Sequence, residues 1–115
     1  MRGDLGDKAR LQHILDAIVE VESYVAKAGS KEFMENSMMK FACIKQLEII
    51  GEASNHISSK TRSDFPDVQW AQIVGMRNMF VHEYFGLDHH IVWDIVQNDL
   101  PELKETILEM LDTFE

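Results

Sequence analysis

Residues 75–85 read Gly75-Met76-Arg77-Asn78-Met79-Phe80-Val81-His82-Glu83-Tyr84-Phe85, a run without proline that continues a helical spacing begun near Val68 and stops at Gly86. Advancing about 100° per residue from Arg77 gathers Ile73, Met76 and Phe80 between about 260° and 320°. These three are expected to face the core of the protomer. Between about 340° and 140° fall Trp70, Val74, Val81 and Tyr84, together with Arg77, Asn78 and His82. A helix that is apolar on two sides must bury both, and in a chain of 115 residues the second side is most economically buried against another subunit. Arg77 and Tyr84 share one stripe, while Asn78 and His82 share another about 100 to 140° away, too wide a spread for one compact triad on one helix. A two-fold axis along this face would bring two copies of the set around one cleft.

The chain on either side has the same periodicity. Leu11, Ile14, Leu15, Ile18, Val21 and Val25 recur at helical spacing, with Gly29 placed to stop that helix and Ser30 to cap the next. A second helix is expected from about Lys31 to Ser58, carrying Phe33, Met38, Phe41, Ile44, Leu47, Ile50 and Ile57. Gly51 interrupts it at a cost of about 1 kcal/mol relative to alanine, for which close packing against a neighbouring helix is a reason. Thr61 to Asp67, with Pro66, reads as the clearest loop. The third helix spans about Val68 to Tyr84. Asp88 is a good N-cap for a fourth beginning at His89, and Asp99-Leu100-Pro101-Glu102 has the form of a capping box that either starts a fifth helix or kinks a long fourth one. No segment alternates with period two for long enough to be a strand. The expected fold is all-α, an antiparallel four- to five-helix bundle, one domain over residues 1–115.

Composition narrows the function. Twenty acidic residues against 11 basic ones give a formal charge of -9, which argues against broad nonspecific binding to nucleic acid or membrane through the whole surface. The acid is uneven: residues 1–37, 38–87 and 88–115 carry -2, 0 and -7. The motif-bearing segment is neutral, so a small focused site for a phosphate is compatible with the balance. The single cysteine, Cys43, cannot form an intramolecular disulfide, and no apolar run or leader-like N-terminus is present; a reducing, cytoplasmic setting is expected. Glu52 and His56 stand at metal-ligand spacing, but two ligands do not make a site, and neither metal nor cofactor is expected. Glu52 lies in an apolar setting where burial would require a partner. His89 and His90 read as exposed residues of a capping turn, and Trp70 and Trp93 as packing anchors. By residue type alone, Arg77 could equally be an ion-pair partner of Glu52 or Glu83, His82 a hydrogen-bonded interface histidine, and Tyr84 an amphipathic interface tyrosine.

The run 75–85 resembles the signature of the HEPN superfamily, an arginine followed at four to six residues by a histidine with a polar residue after the arginine. The tyrosine two after the histidine resembles its HepT-like branch. Leu47-Glu48-Ile49-Ile50-Gly51-Glu52-Ala53, Phe65-Pro66-Asp67-Val68-Gln69-Trp70, and Ile91-Val92-Trp93 ahead of Asp99-Leu100-Pro101-Glu102-Leu103 also fall where that branch has similar residues, so the resemblance covers roughly residues 8 to 112. It implies a bundle that dimerises through the motif-bearing third helix and a ribonuclease toxin of a type VII toxin–antitoxin system. It further implies a cognate minimal nucleotidyltransferase antitoxin that neutralises the toxin by AMPylation. Carried onto this sequence, the catalytic residues are Arg77, Asn78 and His82, and the AMPylation site is Tyr84. Some members of the superfamily serve instead as catalytically silent substrate-binding or adaptor subunits.

The chemistry suits the residues. Cleaving RNA without a metal requires deprotonating a 2′-hydroxyl, protonating a leaving oxygen and stabilising charge at phosphorus. Histidine, titrating near 6.5, serves either proton transfer at neutral pH. A permanently charged, forked arginine holds a phosphate more strongly as negative charge develops. AMP on Tyr84 would bring phosphate charge into the cleft and compete with RNA for Arg77.

Overall fold

The computed structural model describes residues 2–82 and 86–114, with side-chain surroundings for 6–80 and 86–114. Among the described residues every regular element is helical. They are α1 (Arg2–Val25), α2 (Ser30–Glu35), α3 (Ser37–Asn55), α4 (Ser59–Asp64), α5 (Trp70–His82), α6 (His89–Asp94) and α7 (Leu100–Asp112), with a π-helical turn, Ile95–Asp99, joining the last two. The expected all-α bundle is therefore what forms.

The apolar stripe of α1 makes the first layer of the core. Leu11, Ile14, Ile18 and Val21 are fully buried, with Leu15 and Val25 half-buried against them, and each fully buried aliphatic side chain contributes about 1.5–3 kcal/mol. They pack chiefly on α3, which in turn packs on α5, while α7 returns along α1. The α1–α3 pair is antiparallel. Asp7, near the start of α1, meets Ser58 just past the end of α3, and Tyr24, near the end of α1, accepts a hydrogen bond from Gln46 at 3.2 Å.

The expected continuous second helix is two helices. Asn36 leaves the helical region at φ -110°, ψ 97°, and its side-chain carbonyl accepts the Met39 N–H at 3.0 Å, a capping role that asparagine fills well because its short amide competes with the backbone for the same donors. Ser30 is not the cap of α2; extended Gly29 occupies that place, its N–H donating to the Glu32 carboxylate. The break changes which residues point inward. Phe33 is fully buried with its ring 4.9 Å from that of Trp93, whereas Met38, expected in the core, is 83% exposed, and Phe41 is also exposed.

Two further boundaries differ from expectation. The segment read as a loop begins with α4, a short helix whose N-cap Ser58 accepts the Thr61 N–H. Near Pro101 the alternative of a long fourth helix with a distortion holds. Asp99 stays helical and caps nothing, and the Leu100 N–H donates to the Ile95 carbonyl five residues back. Proline has no N–H to continue the regular ladder, and one wider turn absorbs the interruption. Trp70 and Trp93 anchor packing as expected, Trp70 also donating its indole N–H to the Phe65 carbonyl at 3.1 Å.

Candidate active site

The site is organised by the crossing of α3 and α5. Gly51 is buried at the contact. A β-carbon there would lie 2.9 Å from the Arg77 Cβ, 2.9 Å from the Ile73 carbonyl oxygen and 3.1 Å from the Arg77 nitrogen. The interruption in α3 thus has the cause expected of it, since only the missing side chain lets the two backbones approach this closely. The crossing sets the Arg77 side chain beside the next residue of α3, Glu52.

Arg77 Nε lies 3.2 Å from Glu52 Oε1, and Arg77 Nη1 donates to the side-chain carbonyl of Asn78 at 3.2 Å. The other Glu52 oxygen lies 3.1 Å from His56 Nε2. One carboxylate therefore joins an imidazole on one side to the guanidinium on the other. Glu52, whose burial the apolar stretch around it left open, is half exposed, at the edge of the α3–α5 contact and not beneath it. Of the alternatives open for Arg77, the pair with Glu52 is the one formed among the described residues. The Arg77 side chain remains 44% exposed, and its Nη2 meets no protein acceptor among the described residues.

The end of α3 that carries Glu52 and His56 is held from several directions. Arg62 donates through Nε to the Ile57 carbonyl at 3.1 Å and through Nη2 to the carbonyls of Ser54 and Asn55 at 3.0 and 2.9 Å, occupying acceptors that a helix C-terminus leaves open. Asp7 is 2% exposed and accepts from the Ser58 N–H at 2.9 Å, the Ser58 hydroxyl at 2.6 Å and the Thr61 hydroxyl. Burial alone would raise the Asp7 pKa, but the hydrogen bonds from Ser58 and Thr61, aided by Arg62, outweigh it and hold the carboxyl below its ordinary value. Nothing local in the sequence pointed to this network, whose members lie 51 and 54 residues apart.

The other face of α5 only partly follows the helical-wheel expectation. Phe80 is buried, as expected of a core residue, whereas Ile73 and Met76 are half-buried. These two line an open groove of about 580 Å³ between α5 and α7, together with Leu103 and the carboxylates of Asp99, Glu102 and Glu109. Of the second face, expected to meet another subunit, Trp70 is already buried within the protomer as a packing anchor, while Val74 is half-buried and Asn78 exposed. The backbone of His82 ends α5, one turn beyond Asn78. Its side chain, that of Val81, and all of Glu83, Tyr84 and Phe85 lie outside the described residues, so the expected roles of His82 and Tyr84 rest on sequence alone.

His89 differs from its partner in the capping turn. Its ring meets the edge of Phe41 at 5.8 Å, and its buried Nδ1 has no hydrogen-bond partner among the described residues. Desolvation and the Lys40 charge lower its pKa, against a partial opposing effect of Asp88. His90 is exposed, as expected, and its N–H is capped by Asp88 at 2.9 Å.

Among the described residues no group of three or more His, Cys, Asp and Glu is placed to hold a metal ion, and no helix is long and apolar enough to cross a membrane.

A family model described as ribonuclease HepT-like matches residues 14–110. The chain is 41% identical to a Methanocaldococcus jannaschii protein provisionally named an RNase, over 87% of this chain and 92% of the relative. It is 35% identical to a Thermococcus cleftensis protein provisionally named ribonuclease HepT, over 84% of this chain and 88% of that one. A Caldanaerobacter subterraneus protein with a provisional RNase name is 33% identical over 88% of this chain and 90% of its own length. No solved structure matches. The match spans α3, the α3–α5 crossing and the Arg77 segment alike, and the chain belongs to the HepT-like ribonuclease family.

Proposed function

We propose that this protein is a metal-independent endoribonuclease that cuts RNA in a composite cleft of a homodimer, each protomer contributing Arg77, Asn78 and His82. The observation that carries the reading is the Arg77 guanidinium, ion-paired with Glu52 and hydrogen-bonded through Nη1 to Asn78 yet 44% exposed, its Nη2 without a protein acceptor among the described residues. An exposed arginine can present its remaining N–H donors to a phosphate, and a forked contact of this kind strengthens as charge builds at phosphorus. His82 takes the proton of the 2′-hydroxyl, the 2′-oxygen bonds to phosphorus as the bond to the 5′-oxygen breaks, and the partner's His82 returns a proton to that leaving oxygen. The products are a 2′,3′-cyclic phosphate and a 5′-hydroxyl. Asn78 orients the phosphate or the imidazole. The names of the relatives, provisional RNases, support the activity.

In the cell the protein acts as the toxin of a type VII toxin–antitoxin pair in the cytoplasm, its domain spanning residues 1–115. A cognate minimal nucleotidyltransferase neutralises it by AMPylation of Tyr84. Family membership supports this reading. The Glu52 pairing favours a second one, in which Arg77 is a structural cation and the chain is a catalytically silent adaptor of a nucleotidyltransferase complex. Purified protein, Arg77→Ala and His82→Ala assayed on total RNA separate the two: cleavage by the wild type lost in both variants supports the enzyme, and no cleavage by any of them supports the adaptor. Mass spectrometry after co-expression with the nucleotidyltransferase encoded beside it reads the modification, and an adenylate increment that survives Tyr84→Phe moves the site elsewhere. Sedimentation as a stable monomer removes the shared cleft.

A further inference from the structure

The open groove between α5 and α7 joins two features that seldom meet on a surface without a purpose. Phe65, Val68, Ile73, Met76 and Leu103 line it, half-buried against the core with part of each side chain still facing outward. Around them stand Asp64, Asp67, Asp99, Glu102 and Glu109, and no lysine, arginine or histidine is among the lining residues. All these side chains fall within the described residues. Among the described residues none of the five carboxylates has an ion pair; the cations that do meet acid, Lys45, His56, Arg77 and Lys104, are matched with Glu48, Glu52 and Glu22. An apolar strip with a polar rim is the surface pattern that a partner covers. The five like charges also repel one another, and an occupant that brings cations relieves that repulsion.

We infer that this groove is the docking site for a basic amphipathic helix of a partner protein, its apolar stripe on the floor and its lysines or arginines against the rim. Secondary structure and charge together select that occupant. The long walls are helices, whose backbone groups are paired internally, so an incoming segment finds no sheet edge to join and must satisfy its own backbone, as a helix does. A phosphate backbone would meet carboxylates alone, and a second copy presenting the same groove would set five carboxylates against five. A helix with apolar anchors at i, i+3 or i+4 and i+7, flanked by cations, matches both parts of the surface. The inference is independent of the ribonuclease reading, since neither Arg77 nor Asn78 lines the groove.

The test uses full-length protein and two fluorescent peptides of about 15 residues, four helical turns. Both carry the same leucine stripe; one has lysine at the remaining positions and the other glutamate. Anisotropy reads binding at about 0.15 M salt, where exposed charges more than about 8 Å apart are largely screened, and amide chemical shifts locate the contact. The lysine peptide binds, the glutamate peptide does not, and the shifted amides cluster at Ile73, Met76 and Leu103. Asp99→Asn with Glu102→Gln, both at exposed positions, weakens binding of the lysine peptide by about twofold to fivefold for each carboxylate lost. Asp94→Asn with Glu105→Gln removes the same charge from exposed positions outside the groove and leaves the affinity within about twofold of wild type. Leu103→Ala, its fold checked by circular dichroism, weakens binding about fourfold or more, the loss for one buried methylene. Equal weakening by the two double substitutions reduces the binding to general attraction by the acidic segment and overturns the inference. So do shifts that leave the groove untouched, equal binding of the two peptides, and binding of neither. Self-association of the protein that Leu103→Ala abolishes also overturns it, by assigning the groove to a second copy.

Discussion

Replacing Gly51 by alanine puts a methyl group where the structure has no room for one. The new carbon would stand 2.9 Å from the Arg77 Cβ and from the Ile73 carbonyl oxygen, and neither neighbour is the free end of a flexible chain, so α5 must move away from α3. Overpacking of this kind costs about 1–3 kcal/mol, while replacing a mid-helix glycine returns about 1 kcal/mol of helix propensity. The balance is a loss of up to about 2 kcal/mol. At about 4 °C per kcal/mol for a domain of this size, the melting temperature falls by up to about 8 °C.

Gly75 supplies the control. It lies in α5, and a β-carbon on it would meet nothing within 4 Å, so Gly75→Ala gains the propensity without the clash, about 1 kcal/mol and a few degrees. Thermal unfolding followed by circular dichroism gives the difference between the two substitutions, which isolates the close approach from the backbone effect they share. Because the displaced atoms belong to Arg77, RNA cleavage falls in Gly51→Ala and not in Gly75→Ala. A Gly51→Ala protein as stabilised as Gly75→Ala, and equally active, would refute the account of the crossing.

Asp7 has a carboxyl pKa held below its unfolded value, so the unfolded chain binds the extra proton and the stability is present above about pH 4 and lost as pH falls through the folded pKa. Asp7→Asn should then be less stable than wild type at pH 7, and the gap should narrow in melts taken at progressively lower pH; a gap that widens contradicts the assignment. Cys43 is fully buried and burial pushes its thiol up to about 11, so iodoacetamide at pH 8 should label native protein far more slowly than protein in guanidinium, which intact-mass kinetics will show. For His89, an imidazole NMR titration should find a midpoint below the ordinary 6.5, rising in Lys40→Met as the opposing charge is removed. On the shared-cleft reading, with one arginine from each protomer, binding of single-stranded RNA to His82→Ala should weaken only gently with salt, at a log–log slope of about -1 to -2, and a slope steeper than about -5 points to further basic contacts.

What could be read from the sequence was what depends on neighbours along the chain. The α1 stripe and the Asp88 cap follow from spacing within one or two turns, and Gly51 announced a close approach because a mid-helix glycine is costly unless something uses the space. The misreadings arise where two local rules compete. Asn36 sits in an unbroken helical pattern, but its side chain captures the Met39 N–H and ends one helix to start another; once it does, Met38 and Phe41 no longer point where a continuous helix would send them. Asp99 and Glu102 satisfied the spacing of a capping box, but the chain stays helical through Asp99 and leaves no free N–H groups to cap. The site divides in the same way. Arg77 and Asn78 were singled out by residue type and spacing, whereas the contact of Arg77 with Glu52 depends on the angle at which α3 crosses α5, and no local pattern carries that.

The charge distribution limits where a polyanion can lie on this surface. The groove between α5 and α7 has an apolar floor that includes Ile73, Met76 and Leu103, but Asp64, Asp67, Asp99, Glu102 and Glu109 stand around it, and a phosphate backbone laid there would meet carboxylates without a compensating arginine among its lining. Among the described residues the Arg77 side of α5 is balanced where the groove is acidic: one guanidinium against one carboxylate, with His56 sharing that carboxylate. On the function proposed above, RNA would be directed to the α3–α5 face by repulsion from the other side of α5 as much as by attraction to Arg77. Repulsion of this sort lowers affinity for every RNA alike, so whatever discrimination the enzyme has must come from the transition-state contacts of a few fixed groups.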